Sequence, residues 1–476
     1  MTPSATDWTT EDVRGWGMAV GGRSRLLRPT SLEDVQNAFA SVRERGGKVA
    51  LRGSGCSYGD AAVCTGGHVL DLSALNRIHS FDPATGIAVV EPGVTIRDLW
   101  RHAIGYGFWP AVVPGTMRVS VGGACAMNIH GKNNWCAGPF GEWVRSFRLL
   151  TPRGELLHCS REVNPHLFHG AISGFGMLGC FTEIELQLKR VHSGRLKVWA
   201  IEARDLGHQM ELMESLLDDS DYLVSWVDLH AKGTGLGRGV IHRACQYEPG
   251  EDPQGLRFLD PVLQDVPERM LGLVPKGWLW PGMWTAMHGG LVPLVNAAKY
   301  HACGGEVRRS PYPQSHGAFH FLLDYVPRWE WMTKPGGLVQ FQPFLPKETA
   351  EATLRRIIGM CHREGLVPYL GVLKRHRPDP FLMTHAVDGW SMAMDLAVSP
   401  RTRGRERLWN HCREMAEVVL DAGGRFYYAK DAMLLASSFP RIHGSEAVSR
   451  FRALKGRCDP DGMLQSDLSR RMGVTG

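Results

Sequence analysis

Lys48-Val49-Ala50-Leu51-Arg52-Gly53-Ser54-Gly55-Cys56-Ser57-Tyr58-Gly59-Asp60 reads as a short apolar strand that empties into a glycine-rich loop. Glycines at 53, 55 and 59 let backbone approach a ligand closely, and Ser54 and Ser57 flank them with hydroxyls. Taken alone, the loop is equally an anion cradle or a surface turn. Upstream, 30–45 reads as a helix capped by Thr30 with Glu33 as its capping-box partner, burying Leu32, Val35, Phe39 and Val42 and stopping at Gly46-Gly47. Downstream, 68–72 and 87–91 read as strands, and Thr95 caps a helix over 96–104. A second glycine-rich region follows, from Pro114-Gly115-Thr116 through Ser120-Val121-Gly122-Gly123 to Asn128-Ile129-His130-Gly131-Lys132-Asn133. Two such regions so close together point to a large phosphorylated cofactor.

Other glycine motifs fail on context. Residues 174–179 match G-x-G-x-x-G, but they follow a helical stretch and precede a strand, the reverse of a dinucleotide-binding turn. Residues 55–59 match G-x-S-x-G, but a nucleophile elbow needs a helix straight after it, and the next element reads as a strand. Further strands are expected at 147–151, 156–159 and 181–188, giving α+β layers rather than a βαβ repeat. After about residue 195 the grain changes. Strands at 222–230, 319–325, 338–345 and 391–398, with helices at 349–363 and 403–420, make a second α+β unit, a sheet with helices on one face. Gln340 and Gln342 sit two apart and share a face, which suits polyol recognition or a satisfied polar pair. From Gly423 glycine-rich loops return, so the expected division is 1–192, 193–421 and a tail, 422–476, that rejoins the first part.

Lys+Arg number 54 against 48 Asp+Glu, with no basic stripe, so a nucleic-acid partner is not supported. Eleven scattered cysteines fit reduced thiols, and the first seven residues lack the basic and apolar regions of an export signal, so a cytoplasmic protein is expected. No C-x-x-C or H-E-x-x-H occurs, and no metal site is expected. The charge-free stretch 277–298 contains Pro281, Pro293 and four glycines, poor composition for a spanning helix. It reads as a partly buried loop; the sharper reading is a lip carrying Trp278, Trp280 and Trp284 that touches a membrane surface or admits a lipidic substrate.

The two glycine regions, with Ala137-Gly138, Phe140-Gly141 and Val144-Arg145-Ser146, and in the tail Ala422-Gly423-Gly424-Arg425-Phe426-Tyr427-Tyr428-Ala429-Lys430-Asp431, Pro440-Arg441 and Asp459-Pro460, resemble the vanillyl-alcohol oxidase/para-cresol methylhydroxylase superfamily of FAD enzymes, in its sugar-oxidising branch. The resemblance implies a split, two-subdomain FAD-binding domain plus an antiparallel-sheet substrate domain. It implies FAD phosphates on Gly53, Ser54, Gly55, Cys56, Ser57, Tyr58 and Gly59 and on Ser120, Val121, Gly122 and Gly123. Gly115, Thr116, Asn128, Ile129 and His130 would line the flavin and ribityl chain, and Phe181 and Tyr427 match further cofactor positions. Lys430 matches a substrate-side lysine and, with His130, is the catalytic candidate. The plain reading of Lys430 is a surface lysine at a strand end, and that of His130 a core histidine shaping its loop. Lys132, Trp226, Gln340 and Gln342 match sugar-pocket positions. Ser391, Ala393 and Thr333 replace a pocket asparagine, cysteine and tyrosine, departures that bear on the substrate. Some relatives link flavin to a histidine where Cys56 stands; noncovalent FAD is expected, a Cys56 thioether being the alternative.

The implied activity is oxidation of a secondary hydroxyl of a sugar or sugar-like substrate, including lipid-phosphate- or metabolite-linked ones, by hydride transfer to flavin N5. It would be half of an epimerising pair with a short-chain reductase. The alternatives are an alditol or aldonolactone oxidase and, in another class, a flavin-binding protein without turnover.

Overall fold

The computed structural model describes residues 8–266, 269–270, 274–288, 290–303, 310–326 and 328–474. The strand Val49–Arg52 forms as expected and lies parallel to His68–Asp71 at one end of a four-stranded sheet that continues through Gly21–Leu27 to Thr9–Arg14. Helix Leu32–Glu44 packs Val35, Phe39 and Val42 with Val49, Leu70 and Leu464. Its cap is Ser31 with Asp34, not Thr30 with Glu33, because Asp34 draws in the N–H groups of both Thr30 and Ser31. Thr95 caps Ile96–Ala103 as read, in a reciprocal box with Asp98. An antiparallel five-stranded sheet follows, in the order Ile78–Asp82, Ile87–Val90, Cys180–Gln187, Val144–Leu150, Leu156–Ser160.

The second unit is a nine-stranded antiparallel sheet. Its order is Tyr312–Ser315, Arg195–Ala203, Gly239–Gln246, Tyr222–Val227, Leu370–His376, Gly389–Ala397, Pro343–Pro346, Arg425–Phe426, with Leu338–Phe341 also on Gly389–Ala397. Helices Leu206–Ser215, Lys347–Glu364 and Thr402–Asp421 pack on one another and on this sheet. The fold is therefore α+β, with an antiparallel sheet backed by helices. The tail returns to the opening third: Gln465 N–H donates to Val49 O at 2.9 Å and Asp467 N–H to Val63 O at 2.7 Å.

Three local expectations are corrected. The stretch 319–325 is not a strand: Ser315 caps a short helix, His316–His320, and a 3₁₀ turn, Leu322–Tyr325, follows. A short apolar run has no periodicity that separates the two forms. The strand expected over 338–345 breaks at Gln342 into Leu338–Phe341 and Pro343–Pro346, since Pro343 has no N–H for the ladder. The stretch 277–298 is helical, Leu279–His288 and Val292–Cys303. Pro281 and Pro293 fall in first turns, where a missing N–H costs nothing. Trp280 packs edge-on against Trp331, and Trp284 stacks on His288; the Trp278 side chain lies outside the described residues. Among the described residues no helix is long and apolar enough to cross a membrane.

Candidate active site

The two glycine regions meet. A Cβ on Gly53 would stand 2.0 Å from Ser120 Oγ, so only glycine allows the contact, and Ser54 N–H donates to that hydroxyl at 3.3 Å. Gly55 takes a left-handed φ of 67°, which turns the loop back on itself. Together they wall one end of a cavity of about 600 Å³. Among the described residues none accepts from the amides of Cys56, Ser57 or Gly123. A glycine-walled cavity with spare N–H donors fits the phosphates of a dinucleotide.

Most of the expected residues line this cavity: 53 to 58, Gly115, Thr116, Ser120, Gly122, Gly123, Ile129, His130, Phe181 and Tyr427, with Lys132, Trp226, Gln340, Gln342 and Lys430. Ala393 lines it too. Five expected residues do not. Gly59 is used for crossing the tail, where an added Cβ would lie 1.8 Å from Asp431 O. Val121 is buried in the core, and its N–H donates to Val94 O. Asn128 ends its helix at a left-handed φ of 47° and accepts from Gly141 N–H at 2.9 Å, so it shapes the loop. Ser391 lies one layer back, 2.7 Å from His376 Nε2. Thr333 is buried, with its hydroxyl on Glu330 O.

At the other end Lys430 Nζ sits 3.5 Å from the centre of the Tyr58 ring. It is no surface lysine. Its open side faces the cavity, and desolvation pulls its pKa well below the lysine range while Asp395 pulls the other way. Asp395 is buried and receives a hydrogen bond from Gln340 Nε2; burial raises its pKa. Register explains the grouping. Across Gly389–Ala397 and Leu370–His376, Asp395 faces Leu370, Ala393 faces Val372 and Ser391 faces Lys374, so alternate residues share the cavity side. Asp395, Lys374 and His376 escaped the sequence reading. Their signal was Lys374 and His376, two apart and on one face of 370–376, and a lone Asp395 among the apolar residues ending 389–397.

His130 lies 3.1 Å from Gln342 Nε2 and 3.5 Å from Lys374 Nζ, among the rings of Phe344, His376, His385 and Tyr427. Burial first, then the Lys374 charge, pushes its pKa well below the usual imidazole value, so it is neutral. The Lys132 ammonium meets Phe319 O and the Phe319 ring, and burial lowers its pKa. Lys299 Nζ lies 4.2 Å over the Trp226 ring. Burial pushes the Cys56 thiol up to about 11. Among the described residues no group of three or more His, Cys, Asp or Glu side chains forms a metal cage.

Comparison with known proteins agrees with this geometry. A family described as an FAD binding domain matches residues 24–160. The decaprenylphosphoryl-β-D-ribose oxidase of Mycolicibacterium smegmatis is 30% identical over 473 residues, covering 98% of each chain. An L-gulono-1,4-lactone dehydrogenase of Mycobacterium tuberculosis is 25% identical and covers 99% of each. The L-gulonolactone oxidase of Bos taurus is 29% identical over 34% of this chain and 36% of its own. FAD is the cofactor these comparisons support. The chain belongs to the para-cresol methylhydroxylase-type FAD-dependent oxidoreductases, enzymes that act on CH–OH groups.

Proposed function

We propose that the protein oxidises a secondary hydroxyl of a sugar or sugar-like substrate to a ketone. The observation that carries this reading is Lys430, a cavity-facing lysine of lowered pKa with Asp395 and Gln340 behind it. FAD, when bound, supplies the two-electron oxidation of the CH–OH carbon. The chain's own part is to hold and orient. The 53–58 loop, Ser120 and Gly123 would hold the phosphates, and Gly115, Ile129 and Tyr427 the rest of the nucleotide. The neutral Lys430 amine accepts the hydroxyl proton, and Asp395 then balances the ammonium. Lys132, Trp226, Gln340 and Gln342 would meet the remaining sugar oxygens and ring.

A ketone formed in this way can be reduced from the other face by a separate short-chain reductase, which would make the protein half of an epimerising pair. A second reading, aldonolactone oxidation, is supported by the full-length likeness to an L-gulono-1,4-lactone dehydrogenase. Anaerobic mixing with a panel of sugars, sugar phosphates and aldonolactones separates them. Sugars with a free secondary hydroxyl are expected to bleach the oxidised-flavin band and yield a ketone. Bleaching by lactones alone would replace the first reading with the second, and bleaching by nothing in the panel would favour a flavin-binding protein without turnover.

The flavin linkage is proposed to be noncovalent. A thiol pushed up to about 11 stays protonated near neutral pH and is a poor nucleophile. Acid precipitation is expected to leave the yellow colour in the supernatant; colour held in the pellet would establish a Cys56 bond.

A further inference from the structure

A surface helix of a globular protein normally turns its apolar stripe inward. Val292–Cys303 does the opposite. The side that seats it on the nine-stranded sheet carries Asn296 and Tyr300, both buried. Asn296 Nδ2–H donates to Asp228 Oδ1 at 3.1 Å, and the Arg238 guanidinium lies 4.5 Å over the Tyr300 ring. The outward side carries Leu291, Leu294, Val295, Ala298 and Ala302, all exposed. At 3.6 residues per turn these five fall within an arc of about 100°. Leu294 is 67% exposed, Val295 52% and Leu291 48%, so the stripe is open along its N-terminal half. Helix Leu279–His288 joins it through a tight turn, in which Leu291 N–H donates to Ala286 O at 2.9 Å, and adds the half-exposed Trp284.

The charge around this stripe has one sign. From Arg269 to Gly305 the sequence contains no Asp or Glu. Lys299 stands on one border of the stripe, over the Trp226 ring, and His301 on the other. Arg328 and Lys334, both exposed, lie on the Trp331 ring, which Trp280 of the first helix touches edge-on. Two carboxylates reach the second helix from its inward side. Asp228 is engaged by Arg238 and Asn296, and Glu202 is set against Tyr300.

We propose that this helical hairpin is a docking surface for an anionic lipid bilayer. The second helix lies in the headgroup region, with Leu291, Leu294 and Val295 turned into the acyl boundary and the neighbouring cations on the lipid phosphates. Trp284, whose indole N–H donates to Lys334 O at 3.2 Å, supplies the interfacial aromatic. The helix does not span: twelve residues rise about 18 Å, short of the roughly 30 Å hydrocarbon core. A second copy of the chain is the poorer occupant. A stripe about 18 Å by 10 Å offers on the order of 200 Å², well under the roughly 800 Å² that each partner buries in a stable dimer. A bilayer sets no such minimum, because affinity grows with each buried side chain and each cation. The proposal concerns where the protein sits and does not rest on the substrate reading above.

Flotation of the FAD-loaded protein with unilamellar vesicles tests it, the flavin colour marking the protein. The expected result is binding to vesicles of equal parts phosphatidylcholine and phosphatidylglycerol, weakened by salt, with at least about tenfold weaker binding to phosphatidylcholine alone. The double variant Leu294→Gln, Val295→Gln keeps every charge and changes only exposed side chains. It is expected to bind the mixed vesicles at least about tenfold more weakly. Leu156→Gln, at an exposed leucine of the five-stranded sheet, leaves binding at the wild-type level. Binding to neither vesicle, or equally to both, overturns the proposal, and so does a double variant that floats like wild type. Light scattering covers the other occupant: a wild-type dimer that becomes monomeric in the double variant assigns the stripe to self-association instead. If the double variant does not fold, the wild-type comparison of the two vesicle types still decides.

Discussion

Lys430→Met retains the yellow colour of bound FAD and loses about 10²–10⁴-fold in the rate of flavin reduction by substrate, the range for removing a positioned acid–base group. Methionine is one atom shorter than lysine and keeps an unbranched, uncharged stem, so it fills most of the lysine's volume with little change to the cavity wall. What goes is the lone pair that takes the hydroxyl proton. The pH dependence follows from the direction of the shift. Desolvation lowers the Lys430 pKa, and the active form is the neutral amine. The wild-type rate is therefore full above that lowered value and falls as pH drops through it, at a pH well below the ordinary lysine range. In Lys430→Met the residual rate keeps no limb from this group. Stopped-flow reduction of wild type and variant across pH measures both quantities. A methionine variant that reduces its flavin at the wild-type rate takes Lys430 out of the mechanism, and one that purifies colourless makes it a cofactor-holding residue instead.

The residues legible in the sequence were those whose role is local. Gly53 and Gly55 announce themselves because the backbone contact with Ser120 and the left-handed turn each exclude a side chain. His130 and Lys132 sit within one glycine-rich loop, and Lys430 follows two tyrosines closely. Lys374 and Asp395 were missed because register, not local spacing, brings them to the cavity. Lys374 opens the basic end of its strand and Asp395 sits among apolar residues, and which face each shows depends on pairing between 370–376 and 389–397 and on the break at Gln342. Ser391 was assigned to the pocket by likeness, yet His376 draws its hydroxyl one layer back. The helices at 279–303 were hidden by prolines that look like breakers but stand in first turns, and the helix at 316–320 by an apolar run too short to show a period.

Arg471→Met is expected to destabilise the fold by about 3–5 kcal/mol, the cost of stripping the partner from buried charges. Arg471 binds Asp60 through two parallel hydrogen bonds, at 2.9 and 3.0 Å, and Asp431 at 2.8 Å. Both carboxylates are only 5% exposed, so water cannot replace the guanidinium. Asp60 follows the phosphate loop, Asp431 follows Lys430, and Gly59 touches the Asp431 backbone, so this one cation ties the two ends of the active cavity together. Burial already raises the Asp60 pKa with Arg471 in place, and removing the arginine raises it further. A carboxyl whose folded pKa exceeds its unfolded one favours folding below the unfolded value and loses that contribution as pH rises through the folded value. The defect of Arg471→Met should therefore shrink in mild acid and grow toward neutrality. Adding Asp60→Asn and Asp431→Asn removes the stranded charges and should recover part of the loss at neutral pH. Denaturant unfolding of the three proteins at two pH values reads all of this, with flavin fluorescence reporting release of FAD. A single variant within about 1 kcal/mol of wild type would fit the exposed-pair range instead and mean that the cluster does not hold the tail to the loop.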